Sequence, residues 1–192
     1  MDGQTQRHAV VSPLRPPYLV SAALSLGVMA WAITRENIWL QNFIHVMSGL
    51  LWTGIDLFMG FVLGPILRRI SFEARRAIVV ALLPRMLVLM PVLSIITGTS
   101  GYFMARQMGF LQVGYPEIIW VYGALGILLV LTIQGLGILL PTNLIIYFEI
   151  QKPRIDDAKI DRLMRRYVRI DASQGVMQVA IIVIMARFST GL

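Results

Sequence analysis

The chain contains no cysteine among its 192 residues, and only 14% of its residues are charged. The lack of cysteine excludes disulfide bonds, iron–sulfur clusters and thiolate metal sites. The sequence also lacks a P-loop, a dinucleotide-binding glycine pattern, an HExxH motif and a nucleophile elbow. These absences argue against a hydrolase and against a nucleotide-driven enzyme.

Apolar residues make up 57% of the chain, and about 20 of them in a row suffice for a helix to cross a bilayer. The sequence therefore predicts an all-α integral membrane protein, one domain over residues 1–192, folded as an antiparallel bundle of five transmembrane helices. The predicted spans cover residues 18–34, 39–67, 77–105, 117–150 and 172–188. Residues 156–170 have a basic, amphipathic pattern and are predicted to extend the fifth helix on the cytoplasmic side.

The basic residues are unevenly distributed between the two predicted sides of the membrane. Thirteen of the 17 lysines and arginines fall in the N-terminal segment, the second loop and the fourth loop. The positive-inside rule then places the N-terminus in the cytoplasm and the C-terminus outside. Membrane topology accounts for the net charge of +7, so we expect a lipid bilayer rather than nucleic acid as the partner.

The second span carries three unusual residues on one stripe. His45, Trp52 and Asp56 follow the spacing i, i+7 and i+11, which nearly superimposes them on a helix. Ionisable groups are costly in a bilayer, so this stripe is expected to face protein, water or a cofactor. His45 is predicted to ligate haem iron or copper, or else to form a hydrogen bond between helices. His8 lies in the polar N-terminal segment, so one copy of the chain cannot form a bis-histidine haem site and the second ligand is unknown.

Asp56 and Arg85 lie at similar predicted depths, within about one helical turn of each other. Because an unpaired charge is costly at that depth, the two residues are predicted to form a structural ion pair. Alternatively, Arg85 holds an anionic group such as a haem propionate or a quinone oxygen. Gly98 belongs to a run of small residues that either lets helices approach closely or leaves room for a flat macrocycle.

The segment His45-(x)6-Trp52-x-Gly54 resembles the signature helix of a group of small bacterial membrane proteins. This group includes the urate oxidase N-terminal membrane domain, the copper-resistance D type and the membrane protoporphyrinogen oxidase. Further likeness to the urate oxidase domain is found at Leu83-Pro84-Arg85, Thr97-Gly98 and Leu140-Pro141-Thr142-Asn143. The protoporphyrinogen oxidase would also need a lysine within a span, which this chain lacks.

The resemblance implies a helical bundle with a haem-binding or metal-handling role, and it carries His45 over as the ligand. The first hypothesis is accordingly a b-type haem membrane protein in electron transfer, or a redox subunit of a membrane complex. His45 would bind the iron, Trp52 and Gly98 would line the pocket, and Arg85 with Asp56 would set its electrostatics. Whether the chain is part of a membrane oxidoreductase is left open.

Two other functions are consistent with the sequence. One is a non-enzymatic accessory subunit of a respiratory or transport complex, in which the polar stripe only packs helices. The other is copper transport or handling by His45 and methionines, of which the chain has 11. Each hypothesis places the chain in the plasma (inner) membrane of a bacterium or archaeon as a multi-pass protein, with a partner membrane subunit or as a homo-oligomer.

Overall fold

The computed structural model describes residues 16–152 and 154–190, and every regular element in this part of the chain is helical. The five long helices are α1 (Pro16–Thr34), α2 (Ile38–Arg69), α3 (Phe72–Gln107), α4 (Ile118–Ile150) and α5 (Asp157–Ser189). A short 3₁₀ turn, Phe110–Gln112, lies between α3 and α4. All five helices are long and apolar enough to span a membrane. This finding confirms the all-α class and the predicted number of helices that are long and apolar enough to span.

Three of the five long helices begin at a polar residue whose side chain caps the first turn. The side chains of Asn37 and Ser71 accept hydrogen bonds from backbone N–H groups in the first turns of α2 and α3. Asp156 does the same for α5, accepting from the N–H of Lys159 at 2.9 Å. The predicted extension 156–170 and the predicted span 172–188 consequently form one continuous helix. The positions of Arg7, His8 and Arg15 lie outside the described residues.

Contacts between helix ends show that the bundle is antiparallel. At one end, Arg75 of α3 forms an ion pair with Asp161 of α5, and this basic end also holds Arg68, Arg69, Arg76, Lys152 and Lys159. At the opposite end, the ring of Phe188 stacks on Phe110 with the centroids 5.2 Å apart. Each long helix therefore runs between the basic end and the opposite end.

Two of the long helices contain π-helical segments, Phe58–Leu63 in α2 and Gly135–Leu139 in α4. Each segment is followed by a proline, Pro65 or Pro141. A proline cannot donate to the carbonyl four residues earlier, and its ring needs space beside that carbonyl. The two prolines inside α3 are not preceded by a π-helical segment. A proline is therefore compatible with such a segment but does not require one. π segments are frequent at functional sites, and both of these border the aspartate cluster described below.

Helices α2 and α5 cross in very close contact. A Cβ atom on Gly60 would lie 3.0 Å from the Cα of Ala172, and one on Gly64 would lie 2.7 Å from a methyl carbon of Val168. Small residues permit such an approach between membrane helices. The outward faces of the bundle instead carry exposed large apolar side chains, as expected for helices that face lipid.

Candidate functional site

Two clusters of polar residues in the interior contain the ionisable residues of the predicted stripe. The histidine cluster, between α2 and α3, consists of His45, Ser48, Thr97, Ser100 and Gly101. The aspartate cluster, between α2, α4 and α5, consists of Asp56, Asn143, Tyr167, Asp171 and Gln178. The predicted stripe of α2 contributes one ionisable residue to each cluster.

His45 is half-buried and is held by the backbone of α3. Its Nδ1 lies 2.9 Å from the carbonyl oxygen of Thr97. A carbonyl can only accept, so Nδ1 carries the proton and donates, which leaves Nε2 as the nitrogen with a free lone pair in the neutral ring. The Thr97 hydroxyl in turn donates to the Ser48 hydroxyl at 2.8 Å. The histidine cluster therefore fixes both the position and the tautomer of the imidazole.

The imidazole of His45 packs directly on the backbone of Gly101. A Cβ atom at this glycine would come within 2.6 Å of the imidazole Cε1 and 3.0 Å of Nδ1. Gly98, which was predicted to line the cofactor pocket, faces another way, because a Cβ atom there would lie 3.5 Å from Leu128 of α4. Gly101, and not Gly98, therefore makes room for the imidazole of His45.

Trp52 separates the two clusters. Its side chain is 5% exposed and packs with Leu93 and Leu131 in a closed apolar layer. The prediction that the stripe of α2 faces the protein interior agrees with this burial. Trp52 is therefore enclosed by core side chains.

Asp56 is completely buried and its partners lie on α5. The side-chain amide of Gln178 donates to Oδ2 of Asp56 at 2.8 Å, and the carboxyl group of Asp171 lies within hydrogen-bonding range. Arg85 is exposed, and its guanidinium donates to the carbonyl of Ala81 on its own helix at 2.6 Å. The predicted ion pair between Asp56 and Arg85 is therefore not formed. The depth of a residue, as read from the sequence, gives its height along the bundle. It does not give the direction in which the side chain points.

Asp171 is the principal residue that the sequence analysis missed. The predicted extension ended at residue 170 and the predicted fifth span began at residue 172, so this acid was assigned to neither. The helical spacing did contain a signal, since Asp171, Gln174 and Gln178 follow i, i+3 and i+7 on one face of α5. All three are at most 2% exposed, and the Gln174 amide donates to the carbonyl of Leu131 at 2.9 Å.

Tyr167 and Asn143 complete the aspartate cluster on the side towards the basic end. The Tyr167 side chain is 5% exposed, contacts the Asn143 side chain and lies next to Asp171. Towards the opposite end, the cluster meets the apolar layer of Trp52. The acids are thus flanked by Tyr167 and Asn143 on one side and by Gln178 and Trp52 on the other.

Among residues 16–152 and 154–190, no group of three or more histidine, aspartate or glutamate residues is arranged to hold a metal ion. A haem iron, in contrast, needs only one or two protein ligands, and His45 with a free Nε2 has the chemistry of one.

Comparison of the chain with protein-family models, curated proteins and solved structures finds no match in any of the three.

Proposed function

We propose that the chain is a multi-pass membrane protein that binds haem b through His45 and takes part in electron transfer. The observation that carries this proposal is the hydrogen bond from His45 Nδ1 to the carbonyl of Thr97. Histidines that ligate metals almost always donate their second ring nitrogen to a carbonyl, carboxylate or water, which fixes the ring and makes it a stronger ligand. His45 meets this condition inside an apolar bundle.

Within this proposal, the residues around the iron differ from those that the sequence suggested. His45 would hold the iron through Nε2, while the Thr97 carbonyl and the Gly101 backbone orient its ring. Trp52 instead packs with Leu93 and Leu131, and the exposed Arg85 donates to the carbonyl of Ala81 on its own helix. When bound, haem would supply one-electron exchange, and a second iron ligand would come from a methionine, water or a partner subunit.

The test is a dithionite-reduced minus oxidised visible spectrum of the detergent-purified protein, prepared from cells supplied with haem. The parent is expected to show haem b bands, and His45→Ala is expected to lose them. His8→Ala is the matched control, because it removes the only other histidine of the chain and should keep the bands. A colourless parent, or bands that survive in His45→Ala, would overturn the proposal. A colourless parent with stoichiometric copper would instead indicate copper handling.

A second candidate function, an accessory subunit without a cofactor, is favoured by one observation. Ser48, Trp52 and Asp56 are all buried between helices, so most of the polar stripe is used in packing. This function predicts a colourless protein that co-purifies with other membrane subunits in a mild detergent. The haem proposal also requires an electron partner, so the spectrum and not the co-purification separates the two.

We further propose that the basic end of the bundle faces the cytoplasm of a bacterial or archaeal plasma membrane, as the positive-inside rule predicts. The N-terminus would then be cytoplasmic and the C-terminus outside. The lack of cysteine makes single-cysteine labelling clean. Arg35→Cys, an exposed position at the opposite end, should react with an impermeant maleimide in intact cells. Arg69→Cys, an exposed position at the basic end, should react only after the cells are opened.

A further inference from the structure

The strongest unexplained feature of the molecule is the contact between two buried acids. Asp56 of α2 and Asp171 of α5 are both 0% exposed, and their carboxyl groups lie within hydrogen-bonding range of each other. They meet where the two helices cross in backbone contact at Gly60 and Ala172. The acids are therefore held together by the fold and cannot turn away to water.

The two carboxyl groups have too few hydrogen-bond donors. Gln178 donates to Oδ2 of Asp56 at 2.8 Å. Within the described residues, Oδ1 of Asp56, both carboxyl oxygens of Asp171 and Oε1 of Gln178 have no partner. Tyr167 and Trp52 approach the acids from the sides, but neither forms a hydrogen bond of regular geometry with them. Buried polar atoms are normally satisfied, and the side chains of the described residues supply no donor to these oxygens.

Within the part of the chain that the structure describes, no cation is paired with either acid. The ion pairs in the described part of the chain join Arg75 to Asp161, and Lys152 and Lys159 to Glu149. From the packed helices, the groups that face the acids are Trp52, Asn143, Tyr167 and Gln178. Of these only Tyr167 is titratable, and it is not a cation. Two adjacent carboxylates without a cation are strongly unfavourable away from water.

We propose that Asp56 and Asp171 form a proton-binding site, in which one proton is shared between the two carboxyl groups inside the bundle. The proton supplies the missing donor and removes one of the two charges. It needs no coordination shell, whereas a metal cation such as Ca²⁺ takes six to eight oxygen ligands. The site is separated from His45 by the apolar layer of Trp52, so it does not depend on the proposed haem function.

The test is infrared spectroscopy of the full chain in detergent at neutral pH, where free aspartate side chains are ionised. The parent is expected to show the carbonyl-stretch band of a protonated carboxylic acid, with a shift in deuterated water. The double variant Asp56→Asn/Asp171→Asn should lose this band. Asp161→Asn should keep it, because Asp161 is paired with Arg75 at the basic end. No band in the parent, or a band that persists in the double variant, would overturn the proposal.

Two further measurements keep the test decisive. Asparagine has the size of aspartate, and it carries its own N–H donors, so the double variant is expected to fold, which far-ultraviolet circular dichroism checks. If it does not, the parent band alone decides the matter through its presence or absence at neutral pH. The band should also be the same in sodium and in choline salts. Loss of the band when sodium replaces choline would show that the two acids bind sodium, and it would overturn the proposal of a bound proton.

Discussion

Gly60 and Ala172 are in backbone contact, since a Cβ atom on Gly60 would lie 3.0 Å from the Cα of Ala172. Ala172 is the direct neighbour of Asp171, and Gly60 follows Asp56 by about one helical turn. The crossing of α2 and α5 thus sets the distance between the two acids. It is the packing of small residues that creates the aspartate cluster.

This contact predicts that Gly60→Ala destabilises the bundle. The added methyl group meets backbone atoms, which cannot move aside as a flexible side chain can, and overpacking typically costs about 1–3 kcal/mol. Thermal unfolding in detergent would measure the effect. Gly54→Ala is the matched control on the same helix, because a Cβ atom there meets nothing within 4 Å. Equal unfolding temperatures for the two variants would contradict the close crossing.

Gly101→Ala is expected to displace His45. The new Cβ atom would lie 2.6 Å from the imidazole Cε1, so the ring would have to leave its hydrogen bond with Thr97. In the haem proposal this variant binds less haem than the parent, as measured by the ratio of the Soret to the protein absorbance. Gly98→Ala, where the Cβ atom has an ordinary 3.5 Å contact, should bind as the parent does. A normal haem content in Gly101→Ala would show that haem binding does not depend on the packing of His45 against Gly101.

Asp56 and Gln178 are expected to be energetically coupled. Gln178→Ala removes the donor to Oδ2 of Asp56, and an unsatisfied buried acceptor costs about 1–3 kcal/mol. In a double-mutant cycle with Asp56→Ala, the coupling energy should fall at roughly 0.5–3 kcal/mol. The measurement is chemical unfolding of the parent, both single variants and the double variant. Strict additivity would show that the hydrogen bond does not contribute.

Asp56 and Arg85 are expected to be uncoupled. Arg85 is exposed and donates to the carbonyl of Ala81, so Arg85→Ala removes no partner from Asp56. The same type of cycle with Asp56→Ala should give additive effects to within about 0.3–0.5 kcal/mol. A coupling energy as large as that of the Gln178 cycle would contradict this expectation and support the ion pair that was predicted from the depths of the two residues.

The sequence by itself determined the all-helical class of the protein and the position of its five long apolar helices. Crossing a bilayer requires about 20 apolar residues in a row, which is a local property, and five such stretches correspond to the five long helices. Helical periodicity also placed Trp52 and Asp56 on a buried face, because residues seven and eleven positions apart from His45 share one side of any helix. No long-range information is needed for either inference.

The tertiary structure alone decided which residues meet. Asp56 pairs with Gln178 and Asp171 rather than with Arg85, because the rotation of each helix and the close crossing at Gly60 select partners that depth leaves open. The π segments in α2 and α4 shift the helical phase near this crossing, which a pattern with 3.6 residues per turn does not anticipate. Side-chain partnership in a bundle depends on helix rotation and inter-helix distance, and these are properties of the packed molecule.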